Sequence, residues 1–199
     1  MDLKQQLEPN FLLSAYANGY FPMPDETGKE LSWYNPDPRA IIPMDQFHLS
    51  KSLKKKIRQG CYIFRTNTSF KEVMIKCSSR EETWIDQNMI AAYSKLHQLG
   101  FAHSSEIWME DELVGGLYGV ALGNAFFAES KFHTKTDASK LALFHILEHL
   151  SNKGFQLFEV QFMTPHLKSL GAVEIPSAQY LELLNKALGS NPFQANTLI

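Results

Sequence analysis

The stretch Glu112–His133, ELVGGLYGVALGNAFFAESKFH, decides how this chain is read. It reads as a strand, a glycine-rich interruption, a second apolar strand, and a lone carboxylate, Glu129, at the exit. Apolar positions Leu143, Ile146, Leu147 and Leu150 then recur at helical spacing, which predicts a helix from about Asp137 to Asn152. Two strands and a helix therefore meet beside an apolar wall with one charge at its edge. Such a junction is a place to bind something.

Upstream, HSSEIWME (103–110) alternates as a strand, and the acidic pair Glu110-Asp111 supplies the turn into its partner. Downstream, QLFEVQF (156–162) reads as a strand, Thr164-Pro165 opens a helix that Gly171 stops, VEI (173–175) is a last short strand, and a helix runs through Leu188. The tail from Gly189 is expected to be mobile. Further back, Pro9 to Gly19 reads as a short helix. Residues 21–43 hold five of the nine prolines among aromatics and read as ordered loop with short edge strand. After a boundary near Phe47, LSKSLKKKIRQG reads as a helix with Ser50 as N-cap and Gly60 past its end. CYIFRTNTSF is a strand, Phe70–Cys77 a short helix, and Trp84, Ile85, Met89, Ala92, Tyr93 and Leu96 fall at the spacing of another, ended by Gly100. Strands and helices alternate around central hairpins, so the class is mixed α/β.

At 199 residues, 44% hydrophobic, 20% charged and with a net charge of −2, the chain is an ordinary globular protein of one or two domains. That balance excludes a strongly basic nucleic-acid binder but allows a local basic patch. The polar start MDLKQQLEPN has no apolar signal core, and no apolar run approaches the ~20 residues of a membrane span. Cys61 and Cys77 form no CxxC pair; a reduced, cytoplasmic protein with both cysteines as small core residues is the expectation.

Three groups of residues could carry chemistry. In QLFEVQF a period of two puts Leu157, Glu159 and Gln161 on one face and Phe158, Val160 and Phe162 on the other. A carboxylate and an amide side by side are costly to bury without partners, so they are either a solvent-facing edge or a pair that orients a polar nucleophile. Glu129 is the second candidate, with an exposed strand end as its plain reading. The third is a basic helix on which Lys51, Lys55 and Arg58 share one face beside Lys54 and Lys56, either a solvated surface or a contact for phosphates. The sequence His145-Ile-Leu-Glu148-His149 matches an H-x-x-E-H zinc pattern, but no third ligand is evident apart from His166, so no metal is expected.

With these residues laid out, the chain resembles the leucyl/phenylalanyl-tRNA–protein transferases over nearly its whole length, from NGYFP to LNKAL. The blocks that carry the resemblance include GYFPM, WYNPDPRA, HLSKSLKK, AAYSKLHQLGFAHSSEIW, ELVGGLYGVALG, ESKF and HLKSLGAVEIP. It implies a small N-terminal domain (1–47) on a GNAT-like acyltransferase domain (48–199), a mixed sheet flanked by helices. It implies transfer of Leu or Phe from aminoacyl-tRNA to the α-amino group of proteins beginning with Lys or Arg, which marks them for degradation, by a cytoplasmic monomer without cofactor. Position by position it assigns Glu159 and Gln161 to the reacting amine and Glu129 to the aminoacyl-adenosine site. Trp84 and Tyr93 become aromatic site residues, and Trp33-Tyr34 an adenine-stacking face. Leu117, Phe126, Leu143, Ile146, Leu150 and Phe158 become the amino-acid pocket, and Lys51, Lys54, Lys55 and Arg58 the tRNA contact.

The chain also departs from the family pattern. Glu159 stands where Asp is usual, and AESKFH replaces GESMFS, so that Ala128, Lys131 and His133 differ close to the site. Three other readings follow. An acetyl-CoA-dependent enzyme needs a glycine-rich pyrophosphate loop, and KFHTKTDASK has no glycine. A non-catalytic tRNA-binding homologue and a transferase with altered donor or acidic-acceptor specificity remain.

Overall fold

The computed structural model describes residues 3–25, 27, 30–79 and 83–194. In chain order come α1 (Leu3–Gln6), α2 (Pro9–Ala17), β1 (Phe21–Pro24), β2 (Leu31–Tyr34) and β3 (Arg39–Ile41). Then follow α3 (Lys51–Arg58), β4 (Ile63–Thr66), α4 (Phe70–Ser78), α5 (Gln87–Gln98) and β5 (Ala102–Met109). The rest is β6 (Glu112–Leu122), β7 (Ala125–His133), α6 (Ala138–Asn152), β8 (Leu157–Gln161), α7 (Pro165–Ser169), β9 (Val173–Ile175) and α8 (Ser177–Leu188). The mobile-tail expectation falls partly on residues 195–199, which lie outside the described residues.

Capping sets several helix starts. Ser50 Oγ accepts from the Leu53 amide at 3.2 Å, Thr164 Oγ1 from Leu167 at 3.1 Å and Asp86 Oδ1 from Met89 at 2.8 Å. The Asp86 cap corrects the expected helical spacing: Trp84 and Ile85 precede α5 instead of forming its first turn. Of the cysteines, Cys77 is buried as expected, whereas Cys61 is exposed.

Seven strands form one sheet in the order β4-β5-β6-β7-β8-β3-β9. Every neighbouring pair is antiparallel except β7 and β8, which run parallel and are joined through α6. A separate hairpin pairs β1 with β2, Phe21 opposite Tyr34. β3 lies ahead of Phe47, yet it is an inner strand of the large sheet, between β8 and β9. Two apolar cores cover the two faces. One gathers Leu12, Tyr16, Val73, Tyr93, Phe127 and Tyr180 from α2, α4, α5, β7 and α8. The other gathers Leu53, Leu117, Phe126, Leu143, Ile146 and Phe158 around α6. Because both faces are covered, the expected alternation of β5 does not appear in its burial: Ser104, Ser105 and Glu106 are all fully buried. Glu106 is satisfied by Ser104 Oγ at 2.8 Å, the Ser69 amide at 2.8 Å, Trp108 Nε1 at 3.2 Å and the Thr68 hydroxyl.

Three of the four glycines of ELVGGLYGVALG do not interrupt the strand. β6 runs unbroken through Gly115, Gly116 and Gly119, and the turn comes at the fourth, in Gly123-Asn124. The glycines are there for close approach: a Cβ on Gly115 would stand 2.6 Å from Ala138 Cβ, and one on Gly119 2.4 Å from the Phe127 carbonyl oxygen. Glycine lets α6 and the bulged β7 press onto β6. Glu129 consequently lies within β7, not at its exit.

Candidate active site

The last paired rung of the parallel strands is Phe127 opposite Glu159. Two residues further along each strand, backbone pairing gives way to side chains: Gln161 Nε2 donates to Glu129 Oε1 at 3.1 Å. Gln161 has φ +67°, so the strict alternation expected of β8 fails there. Phe162 turns to the hairpin and packs edge-on to Phe21 at 5.6 Å and to Tyr34 at 6.5 Å between ring centroids.

Beside this junction lies a slot of about 210 Å³. Leu117, Leu143, Val160, Leu167, Trp84 and Met23 give it apolar lining, and Glu129, Gln161 and Lys131 bring its polar groups. The carboxyl of Glu129 is sunk into the protein. Its Oε1 accepts from Tyr16 at 2.7 Å, and the Tyr16 hydroxyl lies 2.5 Å from that of Tyr93. Its Oε2 is buried with no hydrogen-bond partner among the described residues. Burial raises the Glu129 carboxyl to about 8, partly opposed by the Tyr16 hydrogen bond. Tyr16 and Tyr93 are pushed well above the ordinary phenol value by burial and by the Glu129 charge.

Glu159 has a different environment. It is not a solvent-facing edge residue: it is fully buried on an inner strand and does not line the slot. Its Oε1 accepts from Arg39 Nε at 2.8 Å, both side chains wholly inaccessible, and Tyr180 reaches Oε2 at 3.4 Å. Arg39 also donates to the Gly19 carbonyl at 2.8 Å and Asn35 Oδ1 at 3.1 Å, and its guanidinium sits 4.6 Å from the Phe21 ring centroid and 4.3 Å from that of Tyr180. Burial raises the Glu159 carboxyl above its ordinary value, and the Arg39 guanidinium opposes that rise.

The structure thus brings Glu129, Gln161, Trp84, Leu117 and Leu143 to one slot, with Tyr93 one hydroxyl behind. It sets Phe126, Ile146, Leu150 and Phe158 behind the wall as fully buried core, Phe126 stacked on Phe158 at 5.3 Å. Trp33 and Tyr34 stand on the hairpin, Trp33 against Phe11 at 5.3 Å with Nε1 donating to Gln6 at 2.9 Å. Lys51, Lys54, Lys55 and Arg58 are exposed on α3, while Lys56 is tied to Asp137 at 2.7 Å. His145 contacts Thr66 Oγ1 at 3.2 Å and the Phe64 ring, and no group of three metal-ligating side chains occurs among the described residues. Sequence reasoning missed Tyr16, Arg39 and Tyr180. A buried acid demands a partner, which was the one available signal for Arg39. Nothing local could pair Tyr16 with a carboxylate 113 residues away.

Profiles described as leucyl/phenylalanyl-tRNA protein transferase and as the N-terminal domain of that enzyme match residues 41–185 and 5–37. The chain belongs to the leucyl/phenylalanyl-tRNA protein transferase family. A relative of that name from Herpetosiphon aurantiacus is 51% identical over 187 residues, covering 94% of this chain and 97% of its own. Another from Akkermansia muciniphila is 47% identical over 190 residues, covering 94% and 98%. Membership in this transferase family makes the protein an enzyme of aminoacyl transfer. Among solved structures, L-PGS from Bacillus licheniformis is 12% identical with a TM-score of 0.43, over 81% of this chain and 55% of that one. A likeness of that size carries no argument about the site.

Proposed function

We propose that the transferase moves Leu or Phe from aminoacyl-tRNA onto the α-amino group of proteins beginning with Lys or Arg, so marking them for degradation. The observation that carries this reading is the apolar slot whose polar groups include the Glu129–Gln161 pair. The slot takes the donor's side chain. Leu and Phe are unbranched at Cβ and suit a narrow apolar cleft, and since one methylene changes binding by only ~1–3 kcal/mol, the preference is graded.

Gln161 commits its amide N–H to Glu129, which leaves its oxygen as the acceptor for an N–H of the incoming amine. A free α-amino group has a pKa of about 7.7–8, so a sizeable fraction is neutral near pH 7 and orientation matters more than a strong base. The amine nitrogen attacks the ester carbonyl carbon, the amide bond forms, the C–O bond to the tRNA ribose breaks, and the proton shed by nitrogen ends on the departing hydroxyl. Glu129, with Oε2 facing no protein partner, is placed to meet the donor's own α-amino group. Glu159 holds the end of β8, and hence Gln161, through Arg39. Trp84 and Tyr93 shape the cleft, and the Trp33-Tyr34 face serves the terminal adenine. Lys51, Lys54, Lys55 and Arg58 meet tRNA phosphates.

The parallel β7–β8 pair, parting beyond Phe127 and Glu159 around the reacting groups, supports the GNAT-like description of the sheet. An acetyl-CoA reading fits poorly, because the segment leading into α6, KFHTKTDASK, has no glycine to cradle a pyrophosphate. We place the end of the small N-terminal unit near residue 38, not Phe47, because β3 is built into the large sheet. We also propose a cytoplasmic monomer; no helix among the described residues is long and apolar enough to cross a membrane.

The test is a transfer assay with Leu-, Phe- and Met-tRNA and peptides differing only in residue one (Lys, Arg, Asp, Glu, Ala). Added Leu or Phe mass on the Lys and Arg peptides is expected. Glu159→Gln should lower kcat more than it changes KM, and a wild-type kcat would remove Glu159 from the mechanism.

A further inference from the structure

A second and larger cleft, about 700 Å³, adjoins the slot. Lys131 lines both. Around it stand Lys76, Lys140, His133 and His166, with Asp137 as the one carboxylate among its lining residues. Asp137 is already engaged, accepting from Lys56 at 2.7 Å and from Lys140 at 2.9 Å. The nearest opposing charge to Lys76 is Glu72, at a loose 4.0 Å. The cleft therefore keeps an excess of positive charge. His166 registers it: burial and the neighbouring Lys131, Lys140 and His133 side chains lower its pKa. Phe132 is the one hydrophobic residue among its lining residues.

The cleft has two links. Lys131, which it shares with the slot, is one. Asp137 is the other, bridged by Lys56 to α3, whose Lys51, Lys54, Lys55 and Arg58 face solvent. Lys131, Lys140 and Lys56 thus stand between the slot and the basic helix, with Asp137 held between the last two. An extended chain carrying one negative charge per residue matches that path, and a lone small anion would use only part of it.

Resting on the aminoacyl-tRNA reading above, we infer that this cleft is the channel for the single-stranded 3′ end of the donor tRNA, with Lys76, Lys131, Lys140, His133 and His166 holding its backbone phosphates. An amino acid in the slot would put the terminal ribose at Lys131, the next phosphodiesters in the cleft, and the paired stem against α3. Lys131 and His133 are two of the positions at which this chain departs from the family pattern.

The test compares two probes on the full-length protein: 3′-phenylalanylamino-adenosine, which has no phosphate, and a CCA-ended acceptor minihelix carrying the same 3′-amide. The variant K76Q/K140Q leaves every slot residue in place. It should bind the phosphate-free probe as the wild type does, which also shows it is folded. Minihelix affinity should fall about 10-fold at low salt, and the slope of log Kd against log salt should drop by ~1.4, two contacts at ~0.7 each. An unchanged minihelix affinity and slope would overturn the inference while leaving the transferase reading intact. So would a change confined to the KM of peptides with an acidic first residue, which would give the cleft to the protein acceptor. A wild type that bound neither probe would sink the transferase reading and the inference together.

Discussion

Glu129 and Glu159 sit on neighbouring parallel strands, and each has a buried carboxyl, yet their surroundings differ. Around Glu159 both oxygens have partners: Arg39 takes one and Tyr180 the other, and Arg39 also donates to Gly19, Asn35 and the Tyr180 hydroxyl. The group is closed. It ties the loop after α2, the strand β3 and the helix α8 to the sheet. Around Glu129, Tyr16 and Gln161 share one oxygen and the other has no described partner. That group is incomplete, and Glu129 lines the slot. A buried polar atom without a partner costs free energy, so its persistence marks a place where a ligand completes the bonding. The complete set builds the scaffold, and the incomplete set is where chemistry is expected.

Breaking the closed set should have the largest effect. Arg39→Met leaves Glu159 buried and unpaired, and should cost about 3–5 kcal/mol, or a fall in Tm of roughly 10 °C. A urea or thermal melt that hardly moved would show that the pair contributes nothing to the scaffold. On the open side, Tyr16→Phe removes the donor to Glu129 and should cost about 1–2 kcal/mol, while transfer falls further than the folded fraction does. Equal losses in stability and kcat/KM would make Tyr16 purely structural.

The pH dependence of the open side has a definite sign. Glu129 is raised from 4.5 to about 8 in the folded protein, so the folded state holds a proton that the unfolded chain releases. The stability this contributes is complete below about pH 4.5 and is lost as pH rises through about 8. Glu129→Gln cannot ionise. Its Tm should gain on the wild type between pH 5 and pH 9 by about 2–4 °C for each ~1 kcal/mol. Parallel Tm curves for the two proteins would show that Glu129 is not raised. The smallest effect belongs to Tyr180→Phe, which removes only long contacts at 3.4 Å and leaves the Arg39–Glu159 bond in place. A loss of about 0.5–1 kcal/mol is expected; a loss as large as that of Arg39→Met would mean the hydroxyl, not the guanidinium, is the partner on which the closed group depends.

Much of this was legible in one dimension. Ser50 and Thr164 fixed helix starts because a cap acts within three residues. The apolar positions of α6 predicted its buried side because helical spacing is local. The family blocks placed Glu129 and Gln161 at one site. What misled were positions whose neighbours are remote. Gly115 and Gly119 resemble a strand break by composition, and only the approach of Ala138 and Phe127 explains them. Glu106 and Glu159 resemble surface acids on alternating strands, because alternation cannot report that both faces of a sheet are covered.

The sequence alone therefore determined the elements, their order, the family and the residue types available for aminoacyl transfer, all set by interactions over a few residues or by similarity along the chain. The tertiary structure decided which carboxylate is sealed and which is open. It decided that β3 belongs to the large sheet, and that Lys131 joins an apolar slot to a basic cleft. Those outcomes depend on contacts between remote segments, such as Arg39 with Glu159, 120 residues apart, where burial and partnership are settled by packing and not by local pattern.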